Sequence, residues 1–237
     1  MEARPKRERG DFKMILEKNE KIQITESMIP AQMSVTIADA KEMVKIFTDL
    51  RMRCSAAIKE ISTKLDILDR EFSVRQDHNP IHHMESRLKS INSIAEKIER
   101  KGMAMEIESV YKITDLAGVR VVCNYIDDIY KVEDSLLRQD DIKLIKRKDY
   151  IKNPKESGYR SLHLVVEVPI FLSDRTYHMP VEIQIRTIAM DTWANLEHEI
   201  KYKRKEDMPK EVADELKQCA KSMAEVDATM ERIHKMF

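Results

Sequence analysis

Glycine is scarce in this chain of 237 residues and occurs only at Gly10, Gly102, Gly118 and Gly158. No two of these are close enough to form a Walker loop or a dinucleotide-binding fingerprint, because both motifs need closely spaced glycines that let backbone N–H groups approach phosphates. If the chain binds a nucleotide, side chains must therefore hold the phosphates.

Cysteines are also few, and the chain has neither a long apolar run nor a net charge. Cys54, Cys123 and Cys219 lie far apart on predicted helices or strands, which fits neither a disulfide framework nor a zinc cluster and favours a reducing cytoplasm. No apolar run approaches the roughly 20 residues of a membrane span, and the charged start has no signal-peptide pattern, so we expect no membrane partner. The 42 basic and 42 acidic residues cancel, so any polyanion site must be local.

The length and the 42% hydrophobic content predict one full domain with helical extensions, or at most two small domains. We expect residues 1–35 to be a flexible segment, residues 36–207 the main domain with its N-terminal helices, and residues 208–237 a C-terminal helix. The basic cluster within residues 4–9 is interpreted as a solvated tail, and single-stranded RNA stays open as its partner.

Alternating side chains predict two strands that share one polar face. In residues 181–186, Glu182 and Gln184 alternate with apolar residues, and in residues 162–168 apolar residues alternate with polar ones that include His163. The period alone fits equally well a hairpin whose polar face is merely solvated. The gathering of carboxylate, imidazole, phenol and cationic side chains favours a site for nucleotide chemistry.

The other periodicities predict mainly helices. We place helices from Ile37 to before Asn79, from near His82 to Gly102, over 127–137, over 188–202 and from Met208 onward, and further strands over 113–125 and, at an edge, over 142–150. Neighbouring residues on a helix face different directions, so His82 and His83 are not expected to share a metal. The last helix carries an apolar heptad that packs either on the body of the chain or on a sister subunit.

Two acidic residues on predicted core strands, Asp115 and Glu182, could share a magnesium ion, which prefers oxygen ligands. Arg120 lies within the most apolar run, and a buried arginine needs a partner. It either pairs with a carboxylate structurally or points into a ligand site, and the pattern does not separate these alternatives.

Four blocks of sequence resemble the RelA/SpoT synthetase domain and specifically the small alarmone synthetases: ITDLAGVRVVC, KESGYRSLHLVV, VEIQIRTIAMDTWANLEHEIKYK and Arg87-Leu88-Lys89. The resemblance extends from about Met84 to the C-terminal helix. It implies an α+β fold, with a mixed and mostly antiparallel sheet flanked by helices, similar to the polymerase-beta nucleotidyltransferases and carrying N- and C-terminal helical extensions. It also implies transfer of pyrophosphate from ATP to the 3′-hydroxyl of GDP or GTP, which yields ppGpp or pppGpp in the stringent response.

The same resemblance implies a role for each matching residue. Asp115 and Glu182 match the catalytic, magnesium-binding carboxylates, and Glu182 is also the group expected to activate the 3′-hydroxyl. Arg87 and Arg120 match the arginines that sandwich adenine. Lys89 and Lys97 match its phosphate-contacting cations, and Tyr159 matches the tyrosine that stacks on guanine; the other residues implied at the GDP or GTP site are Lys148, Lys155, His163, Gln184, Asp191, Ala194 and Glu197.

Two positions depart from the family pattern, because Asp191 stands where relatives have Asn and Lys148 where they have Arg. No His-Asp dipeptide of the family's hydrolase domain occurs, so we expect a stand-alone synthetase in the cytoplasm. The resemblance further implies a homotetramer with contacts made by terminal helices.

Two other functions are weighed against this one. A toxin-like relative would pyrophosphorylate tRNA ends or adenine nucleotides, and we would expect it to show a larger basic surface than this neutral chain. A non-enzymatic RNA-binding regulator is disfavoured because Asp115 and Glu182 are both present. The sequence does not separate GDP from GTP as the acceptor.

Overall fold

The computed structural model describes residues 37–104, 107–203 and 208–236 and divides into two compact units, Met1–Lys45 and Ile46–Phe237. Of the first unit only the helical backbone from Ile37 is described. The flexible segment expected at residues 1–35 lies outside the described residues. The C-terminal helix belongs to the same unit as the sheet.

A five-stranded sheet forms the centre of the second unit, in the order β1-β2-β5-β4-β3. Strands β2 and β5 pair in parallel and the other three pairs are antiparallel, which confirms the predicted mixed and mostly antiparallel sheet. The strands are β1 (Ile81–Leu88), β2 (Ala117–Cys123), β3 (Lys143–Asp149), β4 (Leu162–Phe171) and β5 (Thr176–Thr187).

The sheet is flanked by helices α1 (Ile37–Arg75), α2 (Ile91–Arg100), α3 (Ile107–Tyr111), α4 (Ile126–Leu137), α5 (Ile188–Lys203) and α6 (Lys210–His234). Helix α1 ends before Asn79 as predicted. Helix α2 begins after Ser90, whose hydroxyl accepts a hydrogen bond from the N–H of Ser93 at 3.2 Å. Gly102 follows α2 with φ of 62°, the left-handed conformation expected where a helix ends.

The two faces of the sheet differ as the alternation predicted. On one face, Val121, Ile183 and Leu164 join a buried cluster that also contains Ile61 of α1 and Ile129 of α4. On the other face, cross-strand registers align the polar residues, because directly paired residues point to the same side. Arg87 pairs with Gly118, Gly118 with Glu182, and Arg120 with Gln184, which in turn pairs with His163.

The prediction of a helix beginning near His82 was wrong, because residues 81–88 form strand β1. Met84 and Leu88 pack against the core, and a spacing of four residues satisfies a helix period and also places both residues on one face of a strand. Pairing with β2 selects the strand. His82 and His83 do not point apart as expected, since their Nδ1 atoms lie 2.8 Å from each other.

The predicted strand over 113–125 is shorter in the structure, where β2 begins at Ala117. Asp115 therefore lies in the turn before β2. The side chain of Asp115 therefore does not follow the alternation by which side chains of a strand point to opposite faces of the sheet. The predicted edge strand is confirmed as β3, which pairs only with β4.

The apolar residues of α6 divide between two faces. Leu216 and Met223 pack against a small cluster of Trp193, Ala194 and Ala220. Other members of the heptad, Val226, Met230 and Ile233, are 51%, 53% and 44% exposed. Part of the heptad thus packs on the body of the chain and part stays uncovered.

Candidate active site

A cavity of about 200 Å³ lies over the polar face where β1, β2 and β5 meet. Gly118 lies between Arg87 and Glu182 in the registers of these strands and has no side chain to fill the space above the sheet. The cavity is lined by Glu85, Ser86, Arg87, Lys89, Asp115, Gly118, Val119, Arg120, Glu182 and Gln184. The structure thus brings most of the predicted catalytic and ATP-binding residues to one place.

Asp115 is held between two lysines. The backbone N–H of Lys89 donates to the carbonyl of Leu116 at 2.9 Å, which continues the β1–β2 pairing and places the Lys89 side chain beside the turn. Lys89 Nζ lies 3.2 Å from Asp115 Oδ2, and Lys97 Nζ from α2 donates to the same oxygen. Burial acts to raise the pKa of Asp115, but these hydrogen bonds and charges outweigh it and the pKa lies below its ordinary value. The carboxylate is therefore ionised at neutral pH.

The second oxygen of this carboxylate, Asp115 Oδ1, is buried and has no hydrogen-bond partner among the described residues. A buried acceptor without a donor is costly, and an added cation or hydrogen-bond donor at this oxygen would offset that cost. No cluster of three or more His, Cys, Asp or Glu side chains suited to a metal occurs in the described ranges. A cation bound here would rely on Asp115, on Glu182 and on oxygens supplied by a ligand.

Glu182 is oriented by neighbours on its own face of the sheet. Gln184 Nε2 donates to Glu182 Oε2 at 2.9 Å, and His163 Nδ1 lies 3.7 Å from Oε1. Burial acts to raise the pKa of Glu182 and the negative charge of Asp115 adds to this, but the interactions with His163 and Gln184 hold the pKa below its ordinary value. Asp115 and Glu182 line the same cavity.

Polar contacts continue from Glu182 through His163 to Tyr159. The phenolic oxygen of Tyr159 lies 2.7 Å from His163 Nε2 and accepts a hydrogen bond of 2.7 Å from Arg186 Nη2. Because arginine can only donate, the phenolic hydrogen is free to point at His163 Nε2. His163 then carries its hydrogen on Nδ1, the atom that faces Glu182.

Asp191 joins the two halves of the polar face. Its Oδ1 accepts from Arg186 at 3.2 Å and lies 3.3 Å from Nη1 of Arg120, while Asn195 donates to its Oδ2 at 2.9 Å. Arg120 also donates to Asn195 Oδ1 at 3.1 Å and approaches Glu85 at 3.5 Å. Arg120 therefore pairs with carboxylates and also lines the cavity.

Cations surround the ring of Tyr159. Lys155 Nζ lies 4.5 Å from the ring centre and also 4.7 Å from that of Tyr150, and Arg186 Cζ lies 5.2 Å from the Tyr159 ring. Lys148 Nζ lies 5.8 Å from the Tyr150 ring. The predicted residues Lys148, Lys155, Tyr159 and His163 are thus grouped beyond the end of the cavity.

The remaining predicted residues lie on α5. Ala194 is buried in the cluster that Tyr159 also contacts. Glu197 lies one turn further along α5 and forms an ion pair with Lys201, and the structure shows no contact between Glu197 and the cavity.

Three neighbours of the site were not predicted. Glu85 was missed because its segment was taken for a helix, although i, i+2 spacing from Arg87 places both on one face of a strand. Asn195 follows Asp191 by four residues on a helix, and this spacing would have indicated that the two side chains are neighbours. Tyr150 had no signal in the sequence, since its position depends on the fold of the loop after β3.

Comparison with known proteins identifies the family of this chain. A family model described as "Region found in RelA / SpoT proteins" matches residues 86–207. The chain is 42% identical over 205 residues to the GTP pyrophosphokinase YwaC of Bacillus subtilis, covering 86% of this chain and 98% of that protein. It is 38% identical to the GTP pyrophosphokinase YjbM of the same organism, covering 75% and 83%.

Solved structures agree as well. The chain resembles the crystal structure of small alarmone synthetase 2 from Bacillus subtilis with a TM-score of 0.73 and 43% identity, covering 81% of this chain and 99% of that one. Small alarmone synthetase 1 of the same organism, bound to its product pppGpp, matches with a TM-score of 0.76 and 34% identity, covering 80% and 97%. From its sequence, its sheet and these relatives, the chain belongs to the RelA/SpoT family, as a synthetase of the small alarmone type.

Proposed function

We propose that this chain is a GTP pyrophosphokinase that transfers pyrophosphate from ATP to the 3′-hydroxyl of GDP or GTP and so makes ppGpp or pppGpp. The observation that carries the proposal is the pair of ionised carboxylates, Asp115 and Glu182, in a cavity also lined by Arg87, Arg120 and Lys89. A relative with this fold has been solved with its product pppGpp, and the same protein also with AMPCPP. Cations on side chains replace the glycine-rich loop that the sequence lacks.

On the donor side, Arg87 and Arg120 are assigned to adenine. They lie on neighbouring strands at one wall of the cavity, and planar guanidinium groups can stack on a base as an ammonium cannot. Lys89 and Lys97 are assigned to the phosphates. Both now neutralise Asp115, so a polyphosphate that enters the cavity can take over their positive charge.

Asp115 and Glu182 are the groups that would hold Mg²⁺. Their oxygens suit this ion, and the buried, unpartnered Asp115 Oδ1 supports a position for it. Bound there, the ion would neutralise negative charge on the phosphates during transfer. Substrate oxygens would complete its coordination, since the described part of the chain has no third ligand grouped with these two.

On the acceptor side, Tyr159 is assigned to stack on guanine. Lys155 is exposed and lies over the Tyr159 ring, so a stacking base would displace it toward the acceptor's phosphates. Glu182 is assigned to take the proton of the acceptor's 3′-hydroxyl while the hydroxyl oxygen forms a bond to the β-phosphorus of ATP. The bond from this phosphorus to the bridging oxygen of the α-phosphate then breaks, and AMP leaves.

Ionisation of Glu182 below neutral pH suits this role, because a base must be deprotonated before it can accept a proton. The hydrogen that His163 directs at Glu182 would fix the orientation of the carboxylate. Lys148, Gln184, Asp191, Ala194 and Glu197 are assigned to the walls of the acceptor site. Of these, Asp191 contacts arginines from both halves of the site.

We infer a cytoplasmic homotetramer without hydrolase activity. The exposed Val226, Met230 and Ile233 of α6 support contacts between subunits. The free thiols of Cys54, Cys123 and Cys219 support a reducing compartment. In the described part of the chain, no helix is both long enough and apolar enough to cross a membrane.

The test is to incubate the purified chain with Mg²⁺, ATP labelled in its β- and γ-phosphates, and GDP or GTP in separate reactions. Label that appears in ppGpp or pppGpp, together with AMP, is the expected result. A parallel reaction with tRNA as the acceptor tests the alternative of a toxin-like enzyme that pyrophosphorylates tRNA. Label in tRNA and none in guanine nucleotides would overturn the proposal.

A further inference from the structure

Helix α6 packs against the loop that carries the proposed acceptor-binding residues. We call residues 150–161, between β3 and β4, the acceptor loop; it contains Lys155 and Tyr159. Its ends are joined where the N–H of Tyr150 donates to the carbonyl of Ser161 at 3.0 Å, and a turn near its tip is closed by hydrogen bonds of 3.1 and 2.8 Å between 155 and 158–159. Helix α6 meets this turn with backbone atoms of Lys217 and with the side chain of Ala220.

The contact is close enough to depend on a glycine. Gly158 has a φ of 91°, and a Cβ atom placed on it would lie 2.5 Å from the Cβ of Ala220 on α6. Next to this contact, Tyr159, Trp193 and Ala220 share one apolar cluster, and the indole Nε1 of Trp193 donates to the carbonyl of Leu216 at 2.9 Å. The position of α6 therefore directly determines where the backbone of the acceptor loop can lie.

A buried carboxylate reinforces this contact. Asp227 of α6 is 7% exposed, and its Oδ2 accepts from Thr187 Oγ1 at 2.9 Å and from Arg160 Nη1 at 3.4 Å. Thr187 ends β5 and its hydroxyl also accepts from the N–H of Met190 at 3.1 Å, while Arg160 follows Tyr159 directly. One carboxylate thus fixes the acceptor loop to the end of the strand that carries Glu182.

A structural role alone explains Asp227 poorly. Burial raises its pKa, despite the opposing effects of Thr187 and Arg160, so ionisation at this place costs free energy. Buried ion pairs contribute little net stability compared with apolar packing. Their geometry is specific, however, and here that geometry orients the residue next to Tyr159.

Helix α6 also has a second anchor that does not touch the acceptor loop. Glu231 Oε2 accepts from the N–H groups of Ile126 at 2.8 Å and Asp127 at 3.2 Å, at the N-terminus of α4. This anchor holds the C-terminal end of the helix. Comparison of the two anchors separates an effect on the acceptor from a general effect on docking.

We propose that α6 is a positioning element for the acceptor nucleotide, in which Asp227 holds Arg160, and Ala220 supports Gly158, so that Lys155 and Tyr159 are placed to receive guanine. This rests on the proposed function of these two residues. Asp227 and Ala220 are both buried, at 7% and 6% exposure, so both act through the loop. Any contact that another subunit makes with the exposed side of α6 would then also influence the acceptor site.

The test compares Asp227→Ala with Glu231→Ala in the full chain. Asp227→Ala is expected to raise the KM for GDP and GTP roughly tenfold, to leave the KM for ATP within about twofold, and to lower kcat little, because the loop is displaced while the carboxylates are not. Asp227→Asn keeps the bond to Thr187 but loses the charge facing Arg160, so an intermediate KM is expected. Glu231→Ala is expected to lower the melting temperature without a selective change in either KM.

Trp193 gives a readout that needs no activity. It is the only tryptophan and lies between α6 and Tyr159, whose ring centre is 6.5 Å away. Without nucleotide, Asp227→Ala should make its fluorescence more easily quenched by acrylamide, and Glu231→Ala should not. If Asp227→Ala does not fold, Arg160→Gln removes the same contact from the loop side and must give the same selective KM increase.

The outcomes separate the two proposals. A wild-type chain that makes no ppGpp or pppGpp would refute the proposed function. An active wild type in which Asp227 and Glu231 variants change both KM values alike, with equal quenching, would refute the positioning role of α6.

Discussion

Tyr159 combines two functions that a pair of substitutions can separate. Its ring is the proposed stacking surface for guanine, and its hydroxyl connects Arg186 to His163. Tyr159→Ala removes both the ring and the hydroxyl. Tyr159→Phe removes only the hydroxyl, so a difference between the variants isolates the ring.

For Tyr159→Ala, loss of base stacking is expected to cost about 1 to 3 kcal/mol, which corresponds to an increase of roughly 5- to 150-fold in the KM for GDP or GTP. The KM for ATP should change little, because Tyr159 does not line the cavity assigned to ATP. The variant should keep its fold, since Tyr159 lies at the edge of a small cluster and outside the main core.

For Tyr159→Phe, the ring remains and the acceptor KM should stay within about threefold of wild type. Arg186 is 4% exposed and keeps its bonds to Gln184 and Asp191, so the lost hydrogen bonds should cost about 1 to 2 kcal/mol, or roughly 2 to 8 °C in melting temperature. His163 loses the hydroxyl that fixes its tautomer. We therefore expect kcat to fall roughly tenfold, equivalent to about 1.4 kcal/mol.

Steady-state kinetics with each nucleotide varied in turn, beside thermal unfolding, would measure these effects. Tyr130→Phe is a matched control, because the hydroxyl of Tyr130 donates to Asp149 at 3.2 Å outside the cavity and its loss should lower stability without changing either KM. Equal increases of the acceptor KM in Tyr159→Phe and Tyr159→Ala would show that stacking is not the role of the ring. Equal increases for ATP and acceptor in Tyr159→Ala would make the residue structural.

Three further predictions follow from other parts of the structure. Asp115→Asn and Glu182→Gln should each abolish synthesis while leaving the melting temperature near that of wild type. If either variant kept a turnover above about a tenth of wild type at saturating Mg²⁺, the residue it replaces would not have a catalytic role. The double variant Val226→Glu and Met230→Glu should convert the proposed homotetramer to smaller species in light scattering, because charges in a buried contact lack partners. An unchanged mass would place the contact between subunits elsewhere. Because the pKa of Asp227 is raised, its contribution to stability is fully present below the unfolded pKa of about 3.9 and is lost as pH rises through the folded value. The melting temperature of Asp227→Asn should therefore rise relative to wild type as the pH is raised above about 4, and a difference that stays constant with pH would contradict this.

The sheet could be predicted from the sequence wherever alternation was unambiguous. Residues 181–186 and 162–168 lie in β5 and β4 with the predicted apolar faces buried. Strand β1 could not be predicted in the same way, because the four-residue spacing of Met84 and Leu88 satisfies both periods. Its partner β2 is about 30 residues away in sequence, and this tertiary pairing decides the conformation.

Residue types at the candidate site were predictable, but their connections were not. Alternation along residues 181–186 placed Glu182 and Gln184 on one face of a strand, and the structure agrees. That Asp191 would bridge Arg186 and Arg120 depends on how α5 crosses the sheet after β5, and no local pattern encodes this crossing. The heptad of α6 likewise identified the apolar positions of the helix, but it did not show which of them would be buried against the rest of the same chain.

The bridge through Asp191 gives a physical reason for a carboxylate at this position. Two guanidinium groups share its Oδ1, and an amide oxygen in the same place would carry no compensating charge between them. Asp191 contacts both Arg120, on the proposed donor side, and Arg186, on the proposed acceptor side, and Arg186 in turn donates to Tyr159. A base that moves Arg120 as it stacks therefore changes the environment of Arg186, so occupancy of the donor side is expected to influence acceptor affinity through Asp191.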